Sequence, residues 1–467
     1  MKIMKFGGGC LRTPKNLTDI ASIVRKEMPN PIVIVVSAFN GVTNDLEAAA
    51  QTALESEDRI PEVVKELRIF HQEFVESIID DQGLLLRTLN QVESKFQKLE
   101  RLLFGVAYTG EISDAVRILI MSQGERLSSI ILEAVLINQG IQAKAFESEA
   151  LGIQTDSVCD NATANLRATK QNLTDQLTPF LQKGIIPVIT GFFGCTTEGK
   201  TSSFGRNGSD YSAAVVAYAL NAESVHIWKD VDGFMSADPR IVQDSVRIDT
   251  LSYVEAAELS YFGAKILHPR TVEPLAGTGV KIFIHNIHAP ENSVTVIQPE
   301  GHEKSDVIKS VTANDDIAVL KIHGAGVGHK PGIIGEIGRT LSGADVNIFS
   351  VLTSQTSISL ILDSVDSGRG VDALRHLVGG VIERIELKKN VSLIAVVGEG
   401  LLTTEGLAAR VFTAVAEHGI NVEMFAAGAS EVAYYFIVEQ SEMKTAIQAV
   451  HEKFFGAGSI ARLSRYS

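Results

Sequence analysis

A lysine followed closely by three glycines, Lys5-Phe6-Gly7-Gly8-Gly9, closes the first apolar run of the chain. Glycines after a strand let backbone N–H groups converge on phosphate oxygens, and the neighbouring ammonium supplies the charge that an incoming nucleotide needs. A tight strand-end turn uses the same residues, so the cluster alone leaves both readings open. A second concentration of polar groups, Ser202-Ser203-Phe204-Gly205-Arg206-Asn207-Gly208-Ser209-Asp210, leads into an apolar helical segment, 211–220. It gathers an arginine, hydroxyls and an acid at one helix N-terminus, where the fork of Arg206 can take a carboxylate bidentately. On spacing alone, Asp210 reads first as the cap of that helix.

Three further segments carry the same double meaning. Ser122-Gln123-Gly124-Glu125 has the form of a capping box, and its carboxylate is also placed to receive a substrate ammonium. Trp228-Lys229-Asp230-Val231-Asp232-Gly233 follows an apolar strand at 224–227, and Asp-Gly is first a turn signal. Lys265, in Tyr261-Phe262-Gly263-Ala264-Lys265-Ile266-Leu267-His268-Pro269, reads equally as a solvated lysine at a helix end. Gly194-Cys195-Thr196-Thr197-Glu198-Gly199-Lys200-Thr201 satisfies the phosphate-loop pattern G-x-x-x-x-G-K-[ST]. A phosphate-loop lysine must open a helix, yet helical periodicity begins only near Ser209, so a hairpin turn is the better reading.

The elements that position these residues follow from periodicity. Val/Ile runs at 1–6, 32–36 and 185–190 alternate with helical segments near 17–27 and 44–55, which predicts a mainly parallel sheet covered by helices on both faces over residues 1–300. Residues 61–107 hold apolar side chains at helical spacing, including Val63, Leu67, Phe70, Phe74 and Ile78, and predict long helices beside that sheet. Past a polar stretch near 287–305 the chain repeats itself. A shift of 74 residues lays Gly324, Gly326, Gly332 and Asn347 on Gly398, Gly400, Gly406 and Asn421, and lays 358–362 on 432–436. Each copy reads strand, glycine turn, helix, turn, strand, with one face too apolar to stand alone.

Composition narrows the function classes. The 467 residues suit two to four domains, and 56 acidic against 42 basic residues give a net charge of -14, which repels a nucleic-acid backbone. The three cysteines, Cys10, Cys159 and Cys195, form neither a disulfide framework nor a zinc motif, which suits a reducing cytoplasm. No secretion signal and no apolar run near the roughly 20 residues that span a bilayer is visible, so the expectation is a soluble cytoplasmic protein without nucleic-acid or membrane partners.

In order and spacing the motifs resemble the aspartate kinase (aspartokinase) family over nearly the whole chain. The resemblance rests on Lys5-Phe6-Gly7-Gly8, Val35-Val36-Ser37-Ala38 with Gly41-Val42-Thr43-Asn44, Gly124-Glu125-Arg126-Leu127-Ser128, the run from Phe204 to Tyr211, Asp238-Pro239-Arg240, Phe262-Gly263-Ala264-Lys265 with His268-Pro269, and the C-terminal repeat. It implies an α/β amino-acid kinase domain at 1–300 followed by two ferredoxin-like α+β ACT units. The first would occupy 301–388, completed by the tail 458–467, and the second 389–457. The implied activity is transfer of the ATP γ-phosphoryl group to the β-carboxylate of L-aspartate, at the entry to lysine, threonine and methionine biosynthesis.

By the same resemblance, Lys5, Gly7, Gly8 and Asp210 serve the transferring phosphoryl group, and Ser37, Thr43, Glu125, Ser203 and Arg206 hold aspartate. Lys229, Asp230, Met235, Arg240, Lys265 and Ile266 contact ATP, with Mg2+ carried by the phosphates and no protein metal site. An amino-acid effector, lysine or threonine, is implied at Gly332, Ile333, Asn347, Ile348, Gln355 and Thr356, in a homodimer or higher oligomer. The length suggests a monofunctional enzyme without a homoserine dehydrogenase domain.

The chain also departs from the family pattern. Gly9 and Cys10 replace Thr-Ser, Asn207 replaces a glycine, Lys229 a threonine and Met235 a tyrosine, and Ser202-Ser203-Phe204 stands for Thr-Thr-Leu. Two alternatives remain: a kinase of the same fold acting on another acidic amino acid, such as glutamate or an acetylated one, and a catalytically silent amino-acid sensor.

Overall fold

The computed structural model describes residues 1–156, 158–205, 207–292, 294–301 and 307–456, which form two compact units. The first comprises Met1–Phe234, Asp249–Tyr253 and Ile266–Gly301. Its strands are β1 (Lys2–Phe6), β2 (Ile32–Val36), β3 (Ala143–Phe146), β4 (Ile186–Thr190), β5 (Phe193–Cys195), β6 (Thr201–Ser203), β7 (Ser224–Lys229), β8 (Thr250–Ser252), β9 (Lys281–Asn286) and β10 (Thr295–Gln298). All but β5 and β6 join one sheet in the order β3-β4-β2-β1-β7-β9-β10-β8, parallel except where β10 meets β9. β2 and β4 are buried at every position, the pattern of a sheet covered on both faces.

The chain runs from β1 to β2 on one side and returns later to β7 on the other, so the crevice at their carboxyl ends lies where strand order reverses. Helices α1 (Pro14–Glu27), α2 (Val42–Glu55), α3 (Ile60–Ile78), α4 (Gln82–Thr109), α5 (Asp114–Met121), α6 (Gln123–Asn138), α7 (Leu166–Leu181) and α8 (Gly208–Ala219) complete this unit. The long pair α3 and α4 packs through Val64, Leu67, Phe74, Val92, Phe96 and Leu99 into the core that also holds Phe39.

The second unit takes Met235–Ile248, Val254–Lys265 and the C-terminal residues. It therefore claims two segments that the 1–300 boundary had placed in the kinase domain. Their anchors are local: Ser236 Oγ lies 2.8 Å from His451 Nε2, and Glu255 forms a buried ion pair of 2.6 Å with Lys309. Helix α9 (Tyr253–Tyr261) carries Glu255, and Gly263 just beyond it approaches so closely that a Cβ would sit 2.0 Å from the Ala313 carbonyl oxygen.

The repeats build β11 (Ser310–Asn314), β12 (Ile317–His323), α10 (Ile333–Gly343), β13 (Ile348–Thr353), β14 (Ser357–Asp363), α11 (Ser367–Leu374), β15 (Arg384–Lys388), β16 (Val391–Val397), α12 (Leu407–Glu417), β17 (Met424–Ala426), β18 (Ala433–Glu439) and α13 (Met443–Phe455). They form two antiparallel four-stranded sheets, β13-β14-β12-β15 and β11-β16-β18-β17.

Two sequence expectations need correction here. β11 precedes the first repeat yet pairs with β16 of the second, while β15 closes the first sheet against β12. Among the described residues the first sheet draws its strands from 317–388, and it is the second that uses an earlier segment; the expectation placed on the tail 458–467 lies outside the described residues. The 74-residue offset also fails after the helix. Ile317 opposes Asp363 in one sheet and Val391 opposes Glu439 in the other, so the returning strands are related by 76 residues. A two-residue slip leaves every side chain on its original face, which is why the apolar alignment of 358–362 with 432–436 looked continuous.

Candidate functional site

β1 ends at the crevice. Gly7 N–H donates to the Trp228 carbonyl at 3.1 Å, tying the glycine turn to β7. A Cβ at Gly7 would lie 3.4 Å from both Lys5 Nζ and the Trp228 carbonyl oxygen, and one at Gly8 would lie 3.2 Å from the Ala38 carbonyl oxygen. The bare backbone therefore runs directly beside the Lys5 ammonium, which is buried and pairs with Asp210 Oδ1 at 2.7 Å. Lys229, from the end of β7, donates to Asp210 Oδ2 at 3.0 Å, and the His268 backbone N–H reaches the same oxygen at 3.3 Å.

Asp210 sits in the first turn of α8, but its side chain does not cap the helix. The N-terminal position belongs to Asn207 at φ +61°, where no side-chain cap bond forms, and the Asp210 carboxylate is committed to the two lysines. Burial alone would push its pKa up, yet Lys229 and Lys5 together hold it well below the usual carboxylate range. Lys5 is displaced downward by burial, with Asp210 opposing and Lys229 adding to the shift. Burial also lowers the His268 imidazole to about 4, despite Asp210 nearby.

On the other side of the glycine turn lies Glu125. The expected capping box is absent: α5 and α6 nearly meet at Ser122, itself helical at φ -63°, whose Oγ donates to the Leu119 carbonyl at 3.0 Å. Glu125 instead accepts the Ala38 N–H at 3.1 Å, and Gly124 leaves no room for a side chain, since a Cβ would lie 2.6 Å from Ala38 Cβ. Burial pushes the Glu125 carboxyl up to about 8, with the Ala38 hydrogen bond and the Lys5 charge opposing. This carboxylate lacks a strong partner and suits an incoming ammonium.

The remaining predicted substrate residues are spread around this point. Ser37 Oγ lies 2.7 Å from Ser209 Oγ, joining the end of β2 to the start of α8. Ser203 bonds to Asp160 and accepts the Gly205 N–H at 3.1 Å, while Thr43 is exposed in the first turn of α2. Arg206 lies outside the described residues. Asp160 had no sequence signal at all.

Of the predicted nucleotide residues, Lys229, Asp230 and Ile266 belong to the first unit and Met235, Arg240 and Lys265 to the second. Arg240 pairs with Asp238 at 2.6 Å, Lys265 with Asp316 at 2.8 Å, and the Met235 carbonyl accepts Ser310 Oγ at 2.8 Å. Asp230 is exposed, and its carboxylate fills the space beside Gly9, where a Cβ would come within 2.5 Å of its Cγ. The loop that mimics a phosphate-binding motif is a hairpin between β5 and β6, with Lys200 paired to Glu198 at 2.8 Å on the surface. Among the described residues, no group of three or more His, Cys, Asp or Glu side chains could hold a metal ion, and no helix is long and apolar enough to cross a membrane.

In the second unit, Gly324 N–H donates to the Thr356 carbonyl at 3.0 Å and Gly328 N–H to that of Gln355 at 3.4 Å, which joins the glycine loop to the expected effector turn. Gly332 begins α10 at φ +90°, Ile333 is buried behind it, and Asn347, Gln355 and Thr356 are exposed. Ile348 lines a cavity of about 440 Å³ together with Glu258, Tyr261, Ser350, Ser430 and Tyr435, residues that no sequence motif marked.

Comparison with known proteins places this geometry. The model of the amino acid kinase family matches residues 1–286, and an ACT domain model matches 394–454. The bifunctional aspartokinase/homoserine dehydrogenase 2 of Zea mays is 30% identical over 97% of the chain, which spans 50% of that protein's length. Aspartokinase 1 of Arabidopsis thaliana is 28% identical over 99% of the chain and 81% of its own length. E. coli aspartokinase III in complex with aspartate and ADP superposes with a TM-score of 0.85 at 27% identity, covering 97% of this chain and 100% of that one. The same protein with lysine and aspartate gives a TM-score of 0.78 at 26% identity, over 97% and 99%.

Proposed function

We propose, from the premise that the chain belongs to the amino acid kinase family, that it transfers the γ-phosphoryl group of ATP to the β-carboxylate of L-aspartate, giving 4-phospho-L-aspartate and ADP. The observation that carries this reading is the Asp210 carboxylate held between the Lys5 and Lys229 ammonium groups beside a glycine turn, with Glu125 free to receive an ammonium. The E. coli structure with aspartate and ADP lends support.

The reaction asks little of acid–base chemistry. A carboxylate with a pKa near 3.9 is already ionised at neutral pH, so no base is required. A β-carboxylate oxygen attacks the γ-phosphorus, and the bond from phosphorus to the bridging oxygen breaks, its electron pair leaving with ADP. The barrier is set by holding two anions together, which Lys5 and the N–H groups of Gly7 and Gly8 would ease by neutralising the transferring oxygens. Glu125 would take the substrate ammonium and Arg206 its α-carboxylate, with Ser37, Thr43 and Ser203 in support. Lys229, Asp230 and Ile266, all of the first unit, would contact ATP. With Asp210 engaged by two lysines and no metal-holding group of acids among the described residues, Mg2+ would take its ligands from the phosphates, where it offsets charge.

Regulation belongs to the same proposal: lysine or threonine would bind at Gly332, Ile333, Asn347, Ile348, Gln355 and Thr356 in a homodimer. Purified protein with MgATP, hydroxylamine and either aspartate or glutamate tests the activity, since an acyl phosphate is trapped as its coloured hydroxamate. An aspartate-dependent signal supports the reading, and a signal with glutamate alone replaces it. Loss of that signal on adding lysine or threonine tests the effector, and sedimentation tests the dimer.

A further inference from the structure

Asp210 carries one ammonium on each oxygen, Lys5 at 2.7 Å and Lys229 at 3.0 Å. One carboxylate neutralises only one of them, so Asp210 by itself leaves one ammonium unmatched, and the Asp230 carboxylate lies beside Gly9, exposed to solvent. The two lysines differ in access: the Lys5 side chain is 4% exposed, that of Lys229 17%. An ammonium has three N–H donors and Lys229 gives one to Asp210, so two remain for a ligand. Gly7 stands between the lysines, because a Cβ there would lie 3.4 Å from Lys5 Nζ and 4.0 Å from Lys229 Cγ. Strand register explains this: Lys5 lies opposite Ile227 on the parallel neighbour, which puts Lys229 two residues further along, at the carboxyl end where strand order reverses.

A lysine placed only to orient Asp210 would need no access to the crevice and would have no reason to overfill the charge. We infer that Lys229 is a second catalytic lysine, which gives its free donors to the γ-phosphoryl oxygens while Asp210 holds its ammonium in place. In the related pattern this position is commonly a threonine, which brings no charge, and the inference concerns this chain's own residue. It rests on the proposed phosphoryl transfer: the acceptor oxygen bonds to phosphorus, the bridging oxygen leaves with ADP, no proton moves, and Lys229 offsets charge on the equatorial oxygens throughout.

The test compares Lys229→Thr, Lys229→Met and Lys229→Arg with wild type, with circular dichroism to verify folding. In the hydroxamate assay, the threonine and methionine variants should lose about 100-fold in kcat with KM for aspartate within about threefold, and the arginine variant should recover at least about tenfold of that loss. Calorimetry with the β,γ-imido analogue of ATP and with ADP, both with Mg2+, reads the γ-phosphoryl contact without any acceptor. There Lys229→Met should weaken the analogue about tenfold and ADP little. Retention of kcat within threefold, or equal weakening of analogue and ADP, would overturn the inference. A wild-type protein inactive toward aspartate and glutamate would sink the proposed reaction instead, and the analogue-to-ADP ratio would still decide the role of Lys229.

Discussion

The two units each bury a lysine against a carboxylate, and the two pairs look alike by burial and distance. Lys5 and Asp210 are 4% and 1% exposed at 2.7 Å, and Lys309 and Glu255 are 1% and 0% exposed at 2.6 Å. They differ in what surrounds them. Both oxygens of Glu255 are occupied within the second unit, by the Lys309 ammonium and by the Glu399 N–H at 2.8 Å, so the pair is a closed joint between α9 and the repeats. Asp210 faces two ammonium groups, a tightly packed glycine turn and a strand-order reversal. Burial of an ion pair therefore marks neither site by itself. The second ammonium and the side-chain-free turn beside it distinguish the pair to which the proposed chemistry is assigned.

Removing each lysine should separate these roles. Lys5→Met is expected to lower kcat by at least about 1,000-fold, the loss of a cation aimed at the transferring group. It should cost less stability than Lys309→Met, because Asp210 keeps Lys229. Lys309→Met leaves Glu255 buried without its counter-charge and should cost about 3–5 kcal/mol in urea unfolding, with the activity of the folded fraction changed far less. Equal destabilisation by the two variants would erase the distinction drawn between the pairs.

Much of this contrast was legible in the sequence, and the failures have physical causes. The β-branched runs, the glycine turn after β1 and the repeat all follow from local pattern. The direction of the Asp210 side chain does not, since a helix cap and an ion pair use the same first-turn position and only the long-range approach of β1 and β7 selects between them. The capping box at Ser122 fails for a related reason: α5 leads almost directly into α6, so no free helix start exists there to be capped. The pairing of β11 with the second sheet was invisible because an edge strand's own residues do not name its neighbour, and pairing is decided across the fold.

Glu125 sharpens the comparison from the substrate side, as a buried carboxylate without a lysine. Burial holds its carboxyl up to about 8, so at neutral pH the protonated form is favoured. A bound ammonium favours the ionised form, so binding below pH 8 must release a proton. KM for aspartate should then fall about fifteenfold in all as pH rises from 6.5 to 8, and level off above. Glu125→Gln should raise KM and flatten the profile, whereas an unchanged slope in that variant would assign the titration elsewhere.

A smaller effect is expected at Gly9, where the chain departs from the pattern that the sequence resemblance implies. Restoring the common residue with Gly9→Thr should impair the protein, because a Cβ there meets the Asp230 carboxylate at 2.5 Å. The short Asp230 side chain is exposed and can rotate away, so a rise of about threefold in KM for ATP is the scale expected. A fall in KM would show that Gly9 carries a defect which the threonine repairs.

The weakest effect belongs to the most suggestive motif. Lys200 ends a pattern that matches a phosphate-binding loop, but it stands on the β5–β6 hairpin with 74% of its side chain exposed and only Glu198, itself 70% exposed, as partner. No helix follows it to aim N–H groups at a phosphate, and a solvated pair of this kind contributes little. Lys200→Ala should leave kcat and KM for ATP within about twofold of wild type. Loss of activity in a folded Lys200→Ala protein would move the nucleotide to that hairpin and leave the charged cluster at Asp210 without its ligand, whereas an unaltered rate ties phosphate binding to the lysines that an acid holds at the strand-order reversal.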